Sequence, residues 1–144
     1  MTRHNAHGTL LKMSDMAGTP TFTTIAQIIR VAGPNMTRGT TEAVDHDSTT
    51  AKDFLPDALY DGGEVTFVIH YDPPAATHNA AAGLKKALKD GDIRDFQLIY
   101  PDPGAAQDAF SAYVTAFGGE AESNNGKLMA NVTLKVSGAI TEAL

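Results

Sequence analysis

The stretch from Gly126 to Gly138 reads GKLMANVTLKVSG, and its apolar residues fall on every second position. Leu128, Ala130, Val132, Leu134 and Val136 share one face, while Lys127, Asn131, Thr133, Lys135 and Ser137 share the other. Successive strand side chains point to opposite sides, so this period predicts a strand with one buried face. Gly63–Tyr71 repeats it, with Val65, Phe67, Ile69 and Tyr71 alternating with Glu64, Thr66 and His70. Phe96–Tyr100 and Ala109–Phe117 read as further strands. In the second, Phe110, Ala112 and Val114 oppose Tyr113, Thr115 and Phe117, which predicts cover on both faces. Thr9–Met13 and Phe22–Val31 flank the turn-rich SDMAGTP of Ser14–Pro20 and predict a hairpin with a long loop. Thr-rich Met36–Val44 predicts another strand.

One segment has a different period. From Ala76 to Asp90, Ala80, Leu84 and Leu88 recur every four residues, with Lys85, Lys86 and Lys89 on the outer side. This predicts an amphipathic helix over 76–90, stopped by Gly91 and capped by Thr77, after Asp72-Pro73-Pro74 has ended the strand before it. The whole predicts a mainly β fold: an antiparallel sandwich or barrel of about seven strands with one flanking helix. At 144 residues the chain reads as a single domain, 1–144. Two pieces fit no element, residues 1–8 and the long loop 45–63; long irregular loops in small domains are commonly functional.

Composition narrows the function classes. A hydrophobic content of 42% with 19% charged residues belongs to a folded chain. Seventeen acids against eleven bases give a net charge of -6, which disfavours tight neutralisation of nucleic-acid phosphates. With no cysteine, disulfides, thiolate metal sites and Cys nucleophiles are excluded. No apolar run approaches ~18 residues, so no helical membrane insertion is expected. The polar start MTRHNAHGTLLKM lacks the apolar region of a signal peptide, so synthesis in the cytoplasm is expected. The sequons at Asn35 and Asn131 are then chance matches.

Asp45, His46, Asp47 and Ser48 crowd two acids, an imidazole and a hydroxyl into four positions. As a calcium loop the stretch fails: Thr50 stands where the sixth-position Gly belongs and Pro56 where the twelfth-position Glu does. A zinc site drawn from His46, His70, His78 and Asp72 has no ligand spacing behind it, and the plain alternative places His70 on a polar strand face and His78 beside the helix start. Ser48 lies two residues from His46, but no G-x-S-x-G elbow exists. Gly62-Gly63 and Gly118-Gly119 read as turns before and after strands, and Asp92/Asp95 and Glu120/Glu122 as solvated loop charges. No catalytic set, metal site or cofactor is expected.

The same loop carries a resemblance. His46-Asp47-Ser48, then Asp53-Phe54-Leu55-Pro56, Leu59 and Asp61-Gly62-Gly63-Glu64, resembles the major tail tube proteins of long-tailed, lambda-like bacteriophages. Gly8–Asp15 (GTLLKMSD) and Phe22–Ile28 precede it in the family's order. Tyr71-Asp72-Pro73, Thr77-His78, Asp95-Phe96-Gln97-Leu98 and Val132–Gly138 (VTLKVSG) follow, so the likeness spans about residues 8–139. The chain departs at Asp57-Ala58, where a Gly is common, and at Tyr71, which replaces a Phe. No immunoglobulin-like decoration domain is expected after the last strand.

The resemblance implies a structural virion protein, found in the host cytoplasm during assembly and then in the tail. Its principal partner is itself, in hexameric rings stacked into a hollow tube. Tape-measure, tail-terminator and tail-tip proteins are further partners, and phage DNA passes through without sequence-specific binding. Net acidity suits such passage. Asp45, His46 and Asp47 are then expected at the root of a loop reaching neighbouring subunits or rings, with Phe54, Leu55 and Leu59 as apolar anchors. The alternative is that these anchors fold back on their own domain. Glu64, Thr66 and His70 are the lumen-facing candidates, against a simple solvated outer face. Residues 1–8 and 139–144 are expected to be arms that order on assembly. Two other readings stand beside this one: a tube subunit of a contractile tail or injection system, and a monomeric β-sandwich binding module.

Overall fold

A computed structural model describes residues 3–15, 18–19, 21–47, 50–121 and 126–143. Ser48 and Glu122 lie outside them. The strongest alternation builds the two longest strands, β8 (Gln107–Ala121) and β9 (Leu128–Ala143), which pair antiparallel along most of their length. β9 pairs on its other side with β6 (Glu64–His70), placing Phe67 opposite Val132 and Val65 opposite Leu134. β7 (Arg94–Ile99) lies beside β8, and β1 (Leu10–Ser14) beside β7. The short strands β2 (Phe22–Thr24) and β3 (Ile28–Ala32) form the two edges. The sheet order is therefore β2-β1-β7-β8-β9-β6-β3, antiparallel at every step.

The two edge strands are almost adjacent in sequence, with only Ile25, Ala26 and Gln27 between them. Four Cα steps span at most ~14 Å, so a seven-stranded sheet with these edges must curl into a barrel. The predicted run Phe22–Val31 thus breaks in two, and the break is what closes the fold. Ile25 is buried and donates its N–H to the Leu11 carbonyl. The Ala26 N–H donates to Thr77 Oγ1, and the Ala26 carbonyl accepts from His78 Nε2 at 2.8 Å. His78 Nδ1 accepts the Asp72 N–H, which fixes the imidazole proton on Nε2. His78 is wholly buried and ties the barrel's seam to the turn after β6. Replacing it by Ala orphans two part-buried backbone groups and leaves a cavity, each costing about 1–3 kcal/mol. A urea titration of His78→Ala is expected to show a loss of about 3 kcal/mol; an unchanged midpoint would contradict the seam role.

The barrel interior is filled by the predicted alternating faces: Leu11, Phe67, Ile69, Phe96, Leu98, Phe110, Val132 and Leu134 are all buried. On the outer side of β8, Tyr113 and Thr115 are exposed, so cover there is confined to Phe117, which meets the Tyr71 ring at 5.3 Å. α1 (Leu84–Asp90) packs Leu84 and Ala87 inward against this region and lays Lys85 over the Tyr71 and Phe117 rings.

Four expectations are corrected. The helix spans 84–90 and not 76–90. Gly83 turns back against Thr77, where a Cβ would sit 2.4 Å from the Thr77 carbonyl carbon, and Asn79 Oδ1 takes up the N–H groups of Ala81, Ala82 and Gly83. Thr77 is consequently no cap; the helix begins at Gly83 without a side-chain cap and ends, as expected, on αL Gly91. The stretch 139–143 is no free arm, because β9 continues through it on the first residues of β8, with Thr141 opposite Ala109 and Ala143 opposite Gln107. Gly118-Gly119 lies inside β8 and makes no turn; it pairs with Asn131 and Ala130, and the bare face of Gly119 meets the Tyr71 ring.

At the end of β7, Tyr100 donates its hydroxyl hydrogen to Asp108 Oδ2 at 2.7 Å. Partial burial, then the hydrogen bond and charge of Asp108, then Glu142, push its phenol up to about 12 from the ordinary 10.0. The folded state holds this proton more tightly than the unfolded chain. The contribution is therefore complete below pH 10 and lost as pH rises towards 12. Ultraviolet titration of the folded protein should show one of the four tyrosines ionising late, and Asp108→Asn should draw it back towards 10. Four tyrosines ionising together would contradict the pairing.

Candidate functional site

Between β3 and β6 the chain leaves the barrel and returns as a hairpin. β4 (Thr40–Glu42) pairs with β5 (Phe54–Pro56), and the ladder extends from the Thr37–Asp61 bridge out to the Ala43 N–H on the Asp53 carbonyl. The six residue steps from Thr37 to Ala43 make a projection of ~20 Å. The predicted long loop is thus partly strand: β5 lies within it, and Met36–Val44 yields only the three residues of β4.

The exposed apolar residues of the chain concentrate here. Leu59 is 84% exposed, Leu55 59% and Phe54 57%, with Met36 and Val44 also exposed. The three anchors do not fold back on their own barrel. Asp45 Oδ1 accepts the Asp47 N–H at 3.0 Å, making a local turn at the outer end of β4. Asp45, His46 and Asp47 are all exposed. They stand at the tip of the arm and not at its root, because the hairpin ladder carries them outward. His46, His70 and His78 are not gathered; among the described residues no group of three His, Asp or Glu side chains is placed to hold a metal.

The base of the arm is fixed by Tyr60, Arg38 and Ile140, which sequence reasoning passed over, and by Asp61 and Lys135, whose pairing it did not foresee. The Ile140 N–H donates to the Tyr60 hydroxyl at 3.0 Å, and Arg38 lies over the Tyr60 ring at 5.9 Å. Asp61 accepts the Gly63 N–H at 2.8 Å and pairs with Lys135 at 3.0 Å. The Gly63 bond first and the Lys135 bond second hold its carboxyl below the ordinary value of 3.8. Tyr60 is one aromatic in an aperiodic stretch, and nothing in the sequence indicates that Ile140, eighty positions on, meets it.

Beside the arm, the outer face of β6, β9 and β8 is polar. Glu64 and Thr66 are exposed there, opposite Lys135 and Thr133. Thr115 donates from Oγ1 to the Thr133 carbonyl. His70 ends the row half-buried, with Nδ1 enclosed. Lys135 is charge-balanced by Asp61. The two acidic pairs expected as loop charges have other surroundings: Asp95 lies in β7 and accepts from Ser111, Asp92 sits 3.7 Å from buried Arg94, and Glu120 lies in β8.

What this arrangement offers is adhesive surface held away from the core on a stiff hairpin, and that marks a structural subunit. The comparisons with known proteins agree. The lambda phage tail tube protein family matches residues 7–143, and the chain belongs to that family. It has the fold of a chain in the tail of an empty gene transfer agent (GTA) particle solved with C6 symmetry, at 21% identity and a TM-score of 0.76, covering 99% of this chain and 100% of that one. A chain of the native GTA virion gives 18% and 0.74 with the same coverage, and one of the anti-feeding prophage baseplate gives 8% and 0.71, covering 99% and 97%. Comparison with curated proteins gives no match. The chain is a structural, tail-tube-type subunit with the β-rich fold its alternation predicts.

Proposed function

We propose that this chain assembles into six-membered rings that stack into the hollow tube of a virion tail, and that the 37–61 hairpin is the element joining copies. The observation that carries this reading is Leu59, left 84% exposed at the base of the arm. A large apolar side chain so placed gains only by burial against another molecule. Six-fold symmetry is stated of the GTA tail whose fold this chain shares, and supports the same ring here. Phe54, Leu55 and Leu59 are the anchors, and Asp45, His46 and Asp47 meet the neighbouring copy at the arm's tip.

Glu64, Thr66 and His70, with Thr133 and Thr115 beside them, form the lumen wall. A wall of hydroxyls with its lysine already paired presents no free cation to DNA phosphates, so DNA passes without sticking. Terminator, tape-measure and tip proteins bound the tube in the virion, and assembly takes place in the host cytoplasm. The chain carries no catalysis. Negative-stain microscopy of concentrated protein tests the reading: hollow tubes with six-fold end-on views are expected, and rings of another symmetry or solid fibres would overturn it.

A further inference from the structure

The chain's charge is unevenly distributed. Residues 1–41 hold a single acid, Asp15, against Arg3, Lys12, Arg30 and Arg38. The arm that follows, 37–63, holds Glu42, Asp45, Asp47, Asp53, Asp57 and Asp61 against Arg38 and Lys52. Lys52 lies 3.8 Å from Glu42, and Asp61 is taken by Lys135, while Asp47 and Asp53 stand exposed near the tip.

Arg30, from this basic portion, lines a groove. β3 is the last strand of its sheet, so its outer edge has no strand beside it. Ile28–Val31 along that edge face Ala6–Thr9 across a groove of ≈ 270 Å³. Arg30 and His7 are exposed in its walls, and Ile29 is 47% exposed. It runs into a second, more apolar groove of ≈ 520 Å³ that shares Ala6, Thr9 and Val31 and adds Leu98, Tyr100, Pro101 and Asp102, whose carboxylate accepts the Gly104 and Ala106 N–H groups. An unpaired strand edge accepts an extended backbone, and side-chain pockets beside it set which one.

The geometry points to one occupant: the arm of a second copy of this chain, acidic at its tip and apolar along its length. Its hairpin has free outer edges to set against β3, acids to meet Arg30 and the Arg3–His7 segment, and Leu55 and Leu59 to fill the apolar groove. Opposite charge brings the two together and fixes their register. This assignment rests on the tube reading and adds the receptor that the arm binds.

The absence of cysteine allows a direct test. Ile29→Cys and Leu55→Cys, both at exposed positions, are made in separate chains, mixed, concentrated and treated with a short bis-maleimide cross-linker. Only contact between copies joins the two sites. A covalent dimer from the mixture, absent from either variant alone, is expected. In parallel, Arg30→Glu and the double variant Asp47→Lys/Asp53→Lys should each raise the concentration needed for assembly by about tenfold. The triple variant, with the charges exchanged, should return to within about threefold of the parent. Tubes that form without the cross-link, and with Arg30→Glu assembling like the parent, would overturn the groove assignment and leave the tube reading standing. A protein that neither cross-links nor assembles overturns both, and a cross-link without tubes upholds the groove against the tube.

Discussion

Replacing Phe54 and Leu59 together by serine abolishes tube growth at concentrations where the parent assembles, and leaves the fold untouched. Both side chains stand more than half exposed in the free subunit, so their removal forfeits almost no internal packing. In an assembled tube each copy would bury both. An apolar anchor of this kind contributes about 1.5–2 kcal/mol when truncated, so two of them shift the assembly concentration by roughly 100- to 1,000-fold. Sedimentation velocity across a concentration series reads the shift, and thermal unfolding checks the fold. A variant that melts like the parent and assembles like it would remove these two residues from the interface.

Gly63→Ala is expected to act on the fold itself. Gly63 has φ +73°, in the left-handed region, at the point where the arm rejoins the barrel. A Cβ there would lie 2.0 Å from the Asn35 carbonyl oxygen, which is backbone and cannot swing aside. The left-handed conformation alone costs a non-glycine residue about 1–3 kcal/mol, and the clash adds to that. Movement at this point also strains the Val136 N–H bond to the Gly63 carbonyl and the Gly63 N–H bond to Asp61. A loss of about 4 kcal/mol in urea is expected, lowering the melting temperature by roughly 10 °C for a chain of this size. A variant as stable as the parent would show that the arm's root is looser than drawn.

The strands were legible because a half-buried strand records its burial in every second residue. The whole interior of β6, β7, β8 and β9 can be read in this way, from Val65 to Val136. Curling of the sheet was not legible, since it depends on Ala26 meeting Thr77 and His78 across fifty positions. The helix was overread because Ala80, Leu84 and Leu88 at a four-residue period describe helical propensity, while a tight backbone contact at Gly83 decides where the helix starts. The arm's apolar anchors were legible as hydrophobes in a polar loop. The clasp at its base was not, because Tyr60 and Ile140 are neighbours only once β9 has run its full length. The same holds for the Asp45–Asp47 turn: its residues were found readily, but their place at the tip follows from the ladder between β4 and β5.

Removing the 37–61 hairpin tests whether it joins copies into a tube. Thr37 and Asp61 face each other across an isolated antiparallel bridge, so residues 38–60 can be replaced by a two-residue Asn-Gly turn that suits such a pair. Parent and deleted chain are then compared by negative-stain microscopy and sedimentation at matched concentrations. Hollow tubes are expected from the parent and a folded, monomeric barrel from the deletion. Tubes from the deleted chain would contradict the hairpin's role.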